Sequence, residues 1–180
     1  QVGIVGPVIC NFPETGIVQS TGFNVILKKG RTPAINEGTR AEDVVSVEDC
    51  DALCGACMLI RREVFEKIGL LPEQYFLFYE ETDWCQHAKK RGFLVHSIPT
   101  AKVYHKGSAS VDKIKGLKLY YMSRNSVLFV RRNGNWIDYL IFLSYSFLRF
   151  FYCIFIKQQS GNEILNVKAF IKGMFMSKNM

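Results

Sequence analysis

The sequence predicts an α/β body followed by a helical, apolar C-terminal extension, and three observations lead there. Short β-branched runs alternate with helical patterns over the first 110 residues, the order expected when helices cover a sheet. Beyond residue 112 the pattern is helical and apolar throughout. Charge divides at the same place. Residues 1–110 carry 12 Lys/Arg against 13 Asp/Glu, whereas residues 111–180 carry 11 against 3. We therefore expect two regions, 1–112 and 113–180. With 180 residues, 48% hydrophobic and 22% charged, the chain can bury one core plus an appendage, and wholesale disorder is excluded.

Val2 to Cys10 is an apolar run broken by Gly3, Gly6 and Pro7, a strand entering a turn. Gly22 to Leu27 reads as a second strand. The polar, Gly- and Pro-containing stretch KKGRTPAINEGTRAED (28–43) reads as a long loop. Val44 to Val47 and Ala56 to Ile60 read as strands on either side of EDCDALCG. Arg61 to Ile68 is a short helix stopped by Gly69. From Thr82 to Arg91, Trp84, Cys85 and Ala88 share one helical face, and Gly92 ends the helix. Phe93 to Ile98 and Lys102 to His105 read as two strands around a turn at Pro99-Thr100. Three helical segments follow: Ile114 to Arg132, Trp136 to Lys157 and Glu163 to Met176.

A basic tail rich in Phe, Tyr, Leu and Ile points to an anionic membrane surface as partner, and no nucleic acid is expected because no arginine-rich recognition helix or zinc-finger spacing occurs. Tyr139 to Ile156 has Arg149 as its one full charge. A central Arg costs about 2.5–3.5 kcal/mol on insertion, which eleven Leu, Ile and Phe residues at about 0.3–0.6 each can offset. Yet Tyr145, Arg149 and Tyr152 form one polar stripe. A crossing helix, a helix lying in the interface and a helix packed in a bundle all remain open. The six scattered cysteines read as reduced thiols of a cytosolic protein. Cys50, Cys54 and Cys57 lack the second close pair of a structural zinc site. The start QVGIVGPVIC has no initiating Met and reads at once as a buried strand, so a preceding N-terminal part is expected.

The chemistry-bearing stretch is FLFYEETDW (76–84), with Glu80, Glu81 and Asp83 directly behind an aromatic run. Carboxylates suit a helix start. Carboxylates against an aromatic wall also suit proton transfer, because burial raises their pKa. Local sequence leaves both roles open. His105 ends a strand before a Gly/Ser-rich turn, placed to reach a ligand or a metal. His87 and His96 show no partner in the sequence. Arg124, beside Asn125 in YYMSRNSVLF, needs an anion if it faces inward.

DALCGACMLIRREVFEKIGLLPEQYFLFYEETDWCQHAKKRGF, then IPTAKVYHKGSAS, then YYMSRNSVLFVRRN, together closely resemble the C-terminal half of inverting family-2 glycosyltransferases, especially bacterial rhamnosyltransferase-like members. The likeness is ordered and covers roughly residues 1 to 132. It implies the acceptor-side half of a GT-A domain, Rossmann-like with a mixed sheet, over 1–112. The donor-binding half, with the family's metal-binding Asp-x-Asp, is expected to lie outside these residues.

The resemblance implies that Glu81 is the general base, where the family usually has Asp. Glu80 would support the base and Asp83 would brace the helix. His87 stands where the family often has Arg. Gly55 and Ala56 would line the sugar site, Tyr79 belongs to the substrate-binding aromatic segment, and Arg124 would face the diphosphate or the acceptor. His105 would help bind a divalent metal, Mg²⁺ or Mn²⁺, shared with the Asp-x-Asp. The implied partners are a dTDP- or UDP-sugar donor, a saccharide or lipid-linked acceptor, and the inner face of the bacterial cell membrane. Two rivals stand beside this reading: a catalytically incomplete remnant that binds membrane or a partner, and a membrane-surface module with a metal on Cys50, Cys54 and Cys57.

Overall fold

The computed structural model describes residues 1–107, 109, 111–155 and 163–178. The chain separates into two compact units, 1–25 with 32–73 and 80–109, and 26–31 with 74–79 and 110–180.

The first unit is built on β1 (Val2–Asn11) and β5 (Leu94–His105), paired in parallel. Three short strands complete a mixed sheet: β2 (Val18–Ser20) and β4 (Leu59–Ile60) antiparallel to β1, and β3 (Glu48–Asp49) antiparallel to β5. β1 is buried nearly throughout, which explains its continuous apolar sequence. Gly3 is required where Phe93 crosses the strand, since a Cβ there would lie 2.7 Å from the ring. Helices α1 (Arg62–Ile68) and α2 (Glu80–Lys90) follow. Trp84, Cys85 and Ala88 of α2 join Ile4, Leu53, Val64, Phe93 and Val95 in one core. The Trp84 ring lies 5.0 Å from Phe65, and its indole N–H donates to Gly69 O at 3.0 Å.

Several expected boundaries move. The two strands expected at 93–98 and 102–105 are one strand, because Pro99 to Ala101 bulge out between register pairs Ile98–Pro7 and Lys102–Val8. The strand expected at 22–27 is replaced by β2 at 18–20. Gly22, at φ 150°, turns the chain over Cys50, where a Cβ would meet the sulfur at 2.4 Å. Val44 to Val47 form no strand, and Val45 and Val47 stand exposed. Gly55-Ala56 lie in a turn and the strand begins at Leu59. α2 begins two residues earlier than its apolar face suggests, at Glu80.

The second unit holds α3 (Leu117–Asn133), α4 (Trp136–Phe155), α5 (Glu163–Phe175) and a 3-10 turn at Leu27–Lys29. Gly173 lets α5 approach α3, since a Cβ there would meet Arg124 O at 2.3 Å and Val127 Cβ at 2.9 Å. Arg131 then donates to Gly173 O and Met176 O at 2.9 Å, a basic group closing the C-terminal turn. α4 packs through buried Phe142, which stacks on Phe170 at 5.7 Å. Trp136, Leu140, Phe147 and Leu148 of the same helix stay exposed. Among the described residues, which include 139–155 of the segment expected at Tyr139 to Ile156, no helix is long and apolar enough to cross a membrane. Residue 156, the end of that expected segment, lies outside the described residues.

Candidate active site

The first turn of α2 carries Glu80, Glu81 and Asp83. Asp83 is buried at 1% exposure. Glu80 and Glu81 are half-buried, yet each has one carboxylate oxygen, Oε2, removed from solvent with no hydrogen-bond partner among the described residues. A buried carboxylate oxygen without a donor disfavours the charged form. Burial is accordingly the main cause that raises the Glu81 pKa to about 7, with the adjacent Glu80 charge second and its own backbone N–H opposing both. Burial also raises Glu80. The two carboxyls therefore present a group able to accept a proton near neutrality.

Gly55 sits directly against this group. A Cβ at Gly55 would lie 3.6 Å from Glu81 Cγ and 3.7 Å from its Cδ. Gly55 and Ala56 are both exposed, so the turn that carries them forms an open edge beside a shielded carboxyl. The structure thus brings Gly55 and Glu81 together.

His105 lies elsewhere in the same unit. It lines an open cleft of about 320 Å³ with Asn11, Glu14, Gln19 and Lys106, and neither Glu80 nor Glu81 is among the described residues of its wall. Its Nδ1 pairs with Gln19 Oε1 at 3.0 Å. With Nδ1–H donating to that oxygen, Nε2 keeps its lone pair, the arrangement a metal-ligating histidine uses. Gly107 makes room for Gln19, since a Cβ would stand 2.4 Å from Gln19 Nε2. Sequence reasoning missed Gln19 and Gly107. The glycine two residues after the histidine was the available signal.

Arg124 and Tyr79 belong to the second unit. Arg124 is buried and donates to the main-chain oxygens of Gln74 and Tyr75. Tyr79 donates its hydroxyl to Gly30 O at 2.7 Å and lies 5.3 Å from the Phe129 ring.

Other candidates resolve differently. The expectation that no Asp-x-Asp triplet occurs within these residues is wrong: Asp49-Cys50-Asp51 is one. Lys89 occupies its charge, 3.0 Å from Asp51 Oδ1 and 3.7 Å from Asp49 Oδ2, while Asp51 Oδ2 accepts from Val25 N. Cys50 turns inward toward Thr21 O and Glu48 O, and burial pushes its thiol up to about 11. Burial raises the Cys54 thiol as well. Among the described residues no three His, Cys, Asp or Glu side chains are grouped to hold a metal, so Cys50, Cys54 and Cys57 form no such centre. His96 stands 4.0 Å from Asp49, and His87 is half-buried on α2.

The chain resembles curated sugar transferases. It is 30% identical over 133 residues to the dTDP-rhamnosyl transferase RfbF of Shigella flexneri, covering 69% of this chain and 39% of that protein. It is 33% identical over 86 residues to the N-acetylglucosaminyl-diphospho-decaprenol L-rhamnosyltransferase of Mycobacterium tuberculosis, covering 47% and 28%. With the low-salt glycan biosynthesis hexosyltransferase Agl10 of Haloferax volcanii it shares 32% identity over 60 residues, 33% of this chain and 20% of that one. No family model matches the chain. The chain thus spans 39% or less of each of these relatives.

Proposed function

We propose that this chain, a relative of rhamnosyl- and hexosyltransferases, is the acceptor-side part of an inverting family-2 glycosyltransferase of GT-A type. It would move a sugar from a nucleotide-sugar donor to an acceptor hydroxyl. The observation that carries the reading is Glu81, a shielded carboxyl with one unpartnered oxygen, lying under the Gly55 turn. The kinship with the Shigella protein supports a dTDP-sugar as donor, and the mycobacterial relative supports a lipid-linked acceptor.

In the reaction Glu81 takes the proton of the acceptor hydroxyl while that oxygen bonds to the anomeric carbon. The bond from that carbon to the diphosphate oxygen breaks, and the nucleoside diphosphate leaves with its electron pair. In-line attack inverts the carbon. Burial first and the Glu80 charge second raise the affinity of the Glu81 carboxylate for the hydroxyl proton. Exposed Gly55 and Ala56 leave room for a sugar to approach Glu81, since neither adds a bulky side chain. A divalent cation, when bound, neutralises charge on the departing diphosphate. Of this chain's residues His105 would hold it through Nε2, and the further ligands would come from an Asp-x-Asp outside these residues.

The exposed apolar residues of α4 and the basic C-terminal region support seating on an anionic membrane surface, at the inner face of the bacterial cell membrane where surface polysaccharide is made. The test is Glu81→Gln in a full-length protein carrying this chain, assayed for transfer from a dTDP-sugar. Removing a general base should lower turnover by about 10²–10⁴-fold while donor affinity stays unchanged. Turnover within twofold of wild type would remove Glu81 as the base.

A further inference from the structure

Cys54-Gly55-Ala56-Cys57 is a Cys-x-x-Cys sequence, and the proposed reaction uses its two middle residues but neither sulfur. The four residues form one turn. The Cys57 N–H donates to Cys54 O at 3.3 Å, and a turn of this kind keeps its first and last Cα atoms within about 7 Å. A disulfide spans Cα atoms up to about that separation. The backbone therefore already holds the two cysteines at bridging distance.

Both legs of the turn are fixed within the first unit. Leu53, just before it, belongs to the core at 2% exposure. Cys57 O lies so close to β1 that a Cβ on Gly6 would stand 3.2 Å from it. Gly55 and Ala56, at the tip, are exposed. Solvent access also singles out this pair. Cys54 and Cys57 are partly exposed, whereas Cys10, Cys50 and Cys85 are buried. A reagent in solution thus meets the two thiols that stand across the turn.

The same turn adjoins the candidate base, since a Cβ at Gly55 would lie 3.6 Å from Glu81 Cγ. Burial is the main cause that raises the Cys54 thiol. The Ala56 backbone N–H opposes it, and the Glu81 and Cys57 charges add to it. Both sulfurs and the Glu81 carboxyl share one electrostatic neighbourhood.

We propose that Cys54 and Cys57 are a redox-active dithiol, a site that exchanges with a low-molecular-weight disulfide and closes into a bridge across the Gly55-Ala56 turn. One protein thiolate attacks a sulfur of the small disulfide, forming a mixed disulfide and expelling one small thiolate. The second protein thiol loses its proton to solvent and attacks the protein-bound sulfur. The Cys54–Cys57 bond forms, and the second small thiolate leaves with its electron pair. Two protein thiols and one small disulfide become one protein disulfide and two small thiols. A bridge between two fixed legs stiffens the edge where a sugar would approach Glu81, so the bridged form transfers more slowly. That consequence rests on the reading of Glu81 as the base, and the exchange does not.

The test treats a full-length protein carrying this chain with excess oxidised glutathione at about pH 8, where thiolate is available. Cleavage before Asp51 then separates Cys50 from a peptide that holds both Cys54 and Cys57. That peptide should be lighter by two hydrogens and free of glutathione, and dithiothreitol should reverse the change. Cys50→Ala should still form the bridge. Cys54→Ser and Cys57→Ser should each retain at most a glutathione adduct. Unreacted thiols, or a lasting adduct on the wild-type peptide, overturn the dithiol even if no variant folds.

Turnover of the bridged wild type should fall by about fivefold or more. Dithiothreitol should restore it to within about twofold, and glutathione should leave Cys54→Ser unaffected. A bridge that forms while turnover stays unchanged overturns the effect on transfer. If the reduced protein moves no sugar, the glycosyltransferase reading fails and the peptide mass alone decides the dithiol. The carbon-13 shift of the Glu81 carboxyl then decides its reach: a shift that moves on bridging supports it, and an unmoved shift overturns it.

Discussion

Glu48 and Glu81 are the same residue in opposite settings. Glu48 accepts from the Thr21 hydroxyl at 2.5 Å through Oε2 and from the Asn36 amide at 2.7 Å through Oε1. Both oxygens are satisfied, and the contacts tie Thr21, just after β2, and Asn36 of the following loop to β3. Glu81 has a buried oxygen with no partner among the described residues and an acidic neighbour besides. One carboxylate stabilises the fold, while the other is held at an energetic disadvantage. Groups of the second kind gather at functional sites.

The largest expected effects come from reversing the two settings. Glu81→Gln should lower turnover by about 10²–10⁴-fold and yet raise stability. The sign follows from linkage. A carboxyl whose folded pKa lies near 7, above its ordinary 4.5, binds a proton more tightly in the folded state. It therefore makes stability fall as pH rises from 4.5 toward 7. Removing the charge should return up to about 3 kcal/mol at pH 8, read by denaturant unfolding. Glu48→Ala should do the reverse, costing about 2 kcal/mol by stranding the Thr21 and Asn36 donors with turnover unchanged apart from the folded fraction. Equal losses of stability in the two variants would erase the contrast.

A smaller effect sharpens it. Glu80→Gln removes the like charge, the second cause of the raised Glu81 pKa, but leaves burial, the first. The acid limb of the transfer profile should move down in pH and stay above 4.5, the ordinary value. An unmoved limb would show that Glu80 does not sense Glu81. Smallest of all, Gly55→Ala places a methyl at ordinary contact distance from Glu81. Its effect on the unfolding free energy should be within about 0.5–1 kcal/mol, so a large loss would mean that the turn is tighter than the contacts indicate.

Much of this was legible in the sequence where neighbours in the chain decide the outcome. The buried run of β1, the helix stop at Gly69 and the Trp84-Cys85-Ala88 face of α2 all follow from periodicity and turn chemistry. The acidic first turn of α2 was legible too, although its start at Glu80 was not. The left-handed backbone of Phe76, Phe78 and Tyr79 was hidden, because Asn125, which donates to the main-chain oxygens of Tyr75, Leu77 and Phe78, stands more than forty residues away on α3. Likewise, Pro99-Thr100 looks like a turn locally, and the pairing with β1 makes it a bulge in a continuous strand. The rival metal on Cys50, Cys54 and Cys57 is not met, because among the described residues no three such side chains are grouped to hold one. Resemblance supplied the assignment of Glu81, and geometry supplied its unpartnered oxygen.

The most direct test is the protonation of Glu81 itself, followed by carbon-13 NMR of its labelled carboxyl from pH 4 to 9, with Glu81→Gln to assign the resonance. A midpoint near 7, displaced downward in Glu80→Gln, is the result expected of a shielded base paired with a second carboxyl. A midpoint at the ordinary 4.5, unmoved by Glu80→Gln, would contradict it.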